Sequence, residues 1–335
     1  MLLVRLCIVT VCLGFSSLAS AMYAAQQLAI IVNVNDPESK RIADYYQLKR
    51  GIPDQHVITV DLPVGKKAVG RKKFEQVYQQ VRNSTPSNIQ FYALAWSQPF
   101  KVGCMSITSA FAFGFDEAYC AKGCKPTRQS AYFNAATRTP YHDLGIRPTM
   151  MLAGSSFEQV RDMIDRGVAA DASYPKGTAY LVSTTDRARN VRAHFYPAVA
   201  RRLGTRININ IENTDALEGR EDVLFYITGL KQVDAISSNR FLDGAIADHL
   251  TSAGGVLFDG RQMSILRWLD AGATASYGTV VEPCAFPQKF PHPAVVVDRY
   301  TRGETLIEAY WKSVAWPGQG LFVGEPLAAP YAGII

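Results

Sequence analysis

Asp248, His249, Thr251 and Ser252 fall within five residues of one another and form the densest polar cluster that could do chemistry. Ser252 as nucleophile, His249 as base, and Asp248 or Asp243 orienting the ring would make a hydrolase site. A hydroxyl attacks only when a neighbouring base takes its proton. The competing expectation is a cap and turn in which Thr251 or Ser252 satisfies backbone groups. Separation by three residues does not by itself bring His249 onto Ser252. Cys284, behind Glu282 and Pro283, is a second candidate nucleophile, with His292 or His249 as its base.

The competing role for Cys284 is half of a disulfide, which an oxidising compartment favours. Cys7 and Cys12 lie in the first 21 residues, leaving Cys104, Cys120, Cys124 and Cys284. Four cysteines predict two disulfides and leave three connectivities open. The C-x3-C spacing of Cys120 and Cys124 also suits a metal. No His follows before His142, so a disulfide is preferred. His56, His142 and His194 are isolated, and the five His show neither H-x-H nor H-E-x-x-H spacing. No metal and no cofactor is expected.

These residues need a scaffold, and the pattern of the chain is α/β. Leu28 to Val34 is a continuous apolar run of the buried parallel-strand type. Asp36-Pro37 starts a helix and Gly51 stops it. His56 to Val60 is the next strand, which makes a parallel β-α-β unit. Phe74, Val77, Tyr78 and Val81 share one helix face. Gln90 to Trp96 is a third strand. This N-terminal portion reads as a doubly wound module. It lacks the Gly-rich nucleotide loops.

An excursion over 97–150 breaks the alternation, and disulfides would tie it down. The aromatic run 110–115 within it reads as core. Ser155-x-x-Glu158 caps a helix ending at Gly167. Strands are expected at 178–182, 223–227 and 255–258. Helices are expected at 190–202, 263–270 and 304–313, with a short strand through Ser276 and Tyr277.

Residues 1–21 read as a cleavable secretory signal peptide. Arg5 is the charged n-region, Leu6 to Phe15 the apolar segment, and Ala19-Ser20-Ala21 the cleavage site. The apolar run is shorter than the roughly 20 residues of a membrane span. No later segment is apolar for long enough, so no transmembrane segment is expected after cleavage. The address is therefore periplasmic or extracellular, which argues against nucleic acid. The net charge of +6 is only mildly basic. Lys66-Lys67 and Arg71-Lys72-Lys73 read as a solvated face, with an anionic surface or polysaccharide as the sharper alternative.

From Val223 onward, three features have a counterpart in a known family. They are the element order, the helix and turn over Leu266 to Ala275, and the late segment Val323-Gly324-Glu325-Pro326-Leu327. Together they resemble the caspase-like fold, especially the gingipain-type secreted peptidases. There one strand ends in a catalytic His within a Gly-His-Gly turn and the next core strand ends in a catalytic Cys. Nearly the whole mature chain is also similar to a sporadic family of bacterial exported proteins from genomes with exosortase-type sorting. That likeness rests on 33–53, 248–255, 277–284 and 324–327, and it brings no activity with it. Here Tyr226 to Leu230 stands at the His turn without a His, and Leu250 to Ala253 stands near the nucleophile position without a Cys.

The chain divides into a leader at 1–21 and a parallel-sheet, doubly wound module at 22–150 that holds the excursion, and the resemblance implies a caspase-like α/β half at 151–335. The strands ending at Ile227 and near Phe258 should lie in one parallel sheet, with Thr228 to Leu230 facing Asp248 to Ser252. The leading functional reading is a divergent caspase-like protein, lacking the usual pair, that acts in binding or envelope assembly. The sequence gives no partner; a place as an envelope or extracellular-matrix component is the setting that fits. The runner-up is a peptidase-like hydrolase using His249 with Ser252 or Cys284. Polysaccharide binding is a third class, resting on the basic loops and aromatics.

Overall fold

The computed structural model describes residues 24–120 and 123–333. The leader expected over 1–21 lies outside the described residues. Strand β1 (Leu28–Asn33) is buried at every position, as a central parallel strand must be. Helix α1 (Pro37–Arg50) starts where Asp36 accepts from the Glu38 N–H, and ends where Gly51 turns left-handed at φ 62°. Strand β2 (Val57–Val60) returns parallel to β1, as expected for the β-α-β unit. Strand β3 (Ala68–Val69), helix α2 (Arg71–Ser84) and strand β4 (Phe91–Leu94) follow.

The excursion is more ordered than its sequence suggests. It holds strands β5 (Lys101–Val102) and β6 (Met105–Ser106) and helices α3 (Ile107–Phe113) and α4 (Pro140–Leu144). Phe111, from its aromatic run, is core. Strand β7 (Thr149–Met151) rejoins the main sheet beside β4. Helix α5 (Phe157–Ala170) runs through Gly167 instead of stopping there. A Cβ at Gly167 would lie 2.6 Å from the Glu325 side chain, so this glycine makes room for a neighbour and ends nothing.

The C-terminal half contributes β8 (Thr178–Ser183), α6 (Tyr196–Leu203), β9 (Asn208–Asn213), β10 (Val223–Thr228) and β11 (Phe241–His249). Helix α7 (Leu266–Asp270), strand β12 (Ala275–Thr279), helices α8 (Pro293–Thr301) and α9 (Leu306–Ser313) and strand β13 (Gly320–Gly324) complete it. The expected strand over 255–258 is instead a loop, and the strand beside β10 is β11. Two Asp and Gly244 interrupt the apolar pattern of β11 and hide it. Gly255 instead lets the loop press on β12, for a Cβ there would meet the Gly278 carbonyl oxygen at 2.4 Å.

One ten-stranded sheet results, in the order β2-β1-β4-β7-β13-β12-β11-β10-β8-β9, with β3, β5 and β6 in a small second sheet. The first five strands in that order are parallel to one another, and so are the last five. The two blocks meet antiparallel at β12 and β13. The fold is thus α/β with a large, mostly parallel sheet. In its C-terminal half the order β9-β8-β10-β11-β12 is doubly wound and is closed by antiparallel β13, consistent with the caspase-like expectation. Ligands in such sheets gather beyond the carboxyl ends of the strands.

Candidate functional site

At the carboxyl edge of the C-terminal half, Thr228 at the end of β10 is in register with His249 at the end of β11. The Leu250 N–H then donates to the Thr228 carbonyl at 2.9 Å. The two turns expected to face each other are therefore neighbours. The side chains behind them do not form a hydrolytic site.

Asp248 and His249 are successive residues of one strand, so they point to opposite faces of the sheet. His249 is fully buried. Its Nδ1 accepts from the Trp268 indole N–H at 2.9 Å, which leaves Nε2 to donate to the Met263 carbonyl at 3.1 Å. Burial lowers its pKa to about 4; the Met263 hydrogen bond opposes this, while Arg192 and Arg189 add to it. On the other face, Asp248 lies 2.5 Å from the guanidinium of Arg192, both side chains being 1% exposed. Burial pushes this carboxyl upward and Arg192 resists. The contact is close but poorly aligned, for neither Asp248 oxygen has a well-directed hydrogen bond among the described residues. Asp243 is six residues back along β11 and exposed. The triad of Asp248 or Asp243, His249 and Ser252 is therefore not assembled. The two-residue period of a strand separates what a loop would have gathered.

Cys284 offers no thiol. It is bonded to Cys124, and Cys104 to Cys120, which settles the pairing that the sequence left open. His292 holds its ring 4.4 Å from that of Phe195, tilted by 42°. Among the described residues no group of three or more His, Cys, Asp or Glu is placed to hold a metal.

What the edge does hold is a cavity of about 310 Å³, lined by Arg189, Thr251, Ser252, Glu282, Phe290 and the Cys124–Cys284 bridge, among others. Three loops build it, one after each of β8, β11 and β12, and Cys124 of the excursion joins them through its disulfide. Arg189 donates from Nε to the Thr251 hydroxyl at 3.1 Å and pairs with Asp186 at 2.8 Å. The Thr251 hydroxyl donates on to Gln262 Oε1 at 2.7 Å, and the Ala253 N–H meets the same oxygen at 2.8 Å. Thr279 holds the Thr251 and Ser252 carbonyls from β12. Glu282 Oε1 accepts from the Cys284 N–H at 2.8 Å. Ser252 is half-buried, and its hydroxyl makes no hydrogen bond among the described residues.

Sequence reasoning missed Arg189 and Gln262. Arg189 meets Thr251 across 62 residues, and no local pattern marks such a pair. Lys289 was missed as well. It is buried, its Nζ has no hydrogen-bond partner among the described residues, and burial lowers it to about 8 against the pull of Glu282.

No family model and no curated protein matches the sequence. Among solved structures the chain is similar to one described as "Structure of Protease". The two are 10% identical over 91% of this chain and 78% of that one, with a TM-score of 0.48.

Proposed function

We propose that this is an exported protein of the periplasm or cell exterior that binds a polar ligand in the carboxyl-edge cavity without hydrolysing it. One observation carries the reading: Ser252 rims the cavity, and among the described residues its hydroxyl is hydrogen-bonded to no base. Both ring nitrogens of His249 are engaged in the core, and the sulfur of Cys284 is in a disulfide. A hydroxyl without a base is a poor nucleophile but remains a good hydrogen-bonding group. Arg189 keeps guanidinium donors beyond those given to Thr251 and Asp186, and such donors suit a carboxylate. The ligand is therefore a carboxylate-bearing chain of the envelope or extracellular matrix. A divergent caspase-like half fits this role, since the turn over Leu250 to Ser252, near the nucleophile position of the peptidases, here borders the cavity without a Cys.

The test is to incubate the disulfide-bonded protein with a diverse peptide library and acidic oligosaccharides, following cleavage by mass spectrometry and binding by calorimetry. No cleavage is expected. Binding of an acidic ligand should weaken about tenfold or more in Arg189→Ala, the loss of one charged hydrogen bond. Turnover that disappears in Ser252→Ala overturns the proposal. Export is tested separately, by sequencing the N-terminus of protein recovered outside the cytoplasm. It should begin at Met22; an intact chain confined to the cytosol sinks this part.

A further inference from the structure

The two ends of the ten-stranded sheet are finished differently. At one end, the Gln80 side chain of α2 reaches over β2 and donates to the outward Thr59 carbonyl at 2.9 Å. At the other end, β9 pairs with β8 along its whole length, and among the described residues no hydrogen bond reaches the backbone on its outer side. Ile211 on this strand is 40% exposed. A bare strand edge is a template for another strand.

The residues of β9 suit a second copy of the same strand. From Asn208 to Glu212 they read Asn-Ile-Asn-Ile-Glu, which is nearly symmetric about Asn210. Two copies paired antiparallel about a two-fold axis at Asn210 place Ile209 opposite Ile211 twice, Asn210 opposite itself, and Asn208 opposite Glu212. Each half-exposed isoleucine then covers the other, and no like charges stand opposite one another. Arg206, just ahead of the strand and on the parity of Glu212, comes diagonal to Glu212 of the second copy. That is opposite charge at a distance long side chains can span. The contact uses the same edge of both copies about a two-fold axis, so it closes as a pair and does not propagate into a fibre.

We infer that β9 is a homodimer interface, joining two chains antiparallel through one continuous sheet across both molecules. Light scattering on the size-fractionated, disulfide-bonded protein should give twice the chain mass. Asn210→Lys and Asn210→Asp each set like charges across the axis, and each alone should give the monomer. Mixing the two should restore the dimer, because lysine then faces aspartate. A monomeric wild type overturns the inference, as does a dimer that persists in Asn210→Lys. If that variant loses its circular dichroism signal, Ile211→Lys at the exposed position provides the same readout, with monomer expected and dimer contradictory.

Discussion

His249 shows how the side-chain environment decides what an ionisable group does. Its ring is neutral and hydrogen-bonded at both nitrogens inside the core, with a pKa near 4 against about 6.5 in an unfolded chain. The folded state therefore resists protonation that the unfolded state accepts. The stability this group confers is complete above pH 6.5 and drains away as the pH falls toward 4. Two and a half units correspond to about 3 kcal/mol. Urea unfolding at pH 7 and pH 4.5 should show this loss in the wild type. His249→Gln should be less stable at pH 7 but lose less on acidification; an equal slope in both proteins would contradict the assignment. The sequence displayed Asp248 and His249 as chemically capable neighbours. It did not show whether they lay on a loop or a strand, because Gly244 and the aspartates masked the apolar run of β11. That single ambiguity separates a candidate triad from two unrelated core contacts.

Between elements, the most consequential cluster joins α1, α5 and the segment after β13. Arg50 Nε donates to Glu325 at 3.0 Å, and the same guanidinium reaches the other Glu325 oxygen and Asp171. Tyr46 donates its hydroxyl to Glu325 at 2.6 Å. The motifs 33–53 and 324–327 thus meet in space for structural reasons. Neither motif alone revealed this, for the contact spans 275 residues. Gly167→Ala, which gains about 0.5–1 kcal/mol in an ordinary helix, should here destabilise by driving a methyl into Glu325. Thermal melts would show a fall in Tm, and a rise would be evidence against this packing. The disulfides act at the same scale. Cys104 and Cys120 are 16 residues apart, and Cys124 and Cys284 are 160 apart. Constraint of the unfolded chain predicts about 3 kcal/mol for the first and about 5 for the second. The double replacement of Cys124 and Cys284 by Ser should therefore cost more in urea unfolding than that of Cys104 and Cys120. Denatured, unreduced protein that begins at Met22, and so lacks Cys7 and Cys12, should consume no thiol reagent.

For the whole molecule, the alternation of strands and helices was legible from apolar runs and caps, and it gave the α/β class. The junction of the two blocks was not. No strand is expected from the sequence over Gly320 to Gly324, and nothing in those five residues says that they lie between β7 and β12. The antiparallel seam points the carboxyl ends of the two blocks in opposite directions, so only one of them borders the Ser252 cavity. In the other block Asn33 closes the end of β1 by exchanging hydrogen bonds with the backbone of Leu62. The seam also sets a schedule for folding. The strand that joins the blocks follows every other described strand in the chain, and its partner β7 precedes it by about 170 residues. Contacts of such sequence separation form late, so neither block can acquire its inner neighbour until β13 has been made. A chain ending at Gln319 should emerge with two exposed inner strands, β7 and β12, and be recovered as aggregate. A soluble, cooperatively melting product of that length would mean the blocks fold without their seam. On this account β13 works as a closing signal in time: the sheet stays open at its centre while the strands before it are made, and it locks when β13 arrives.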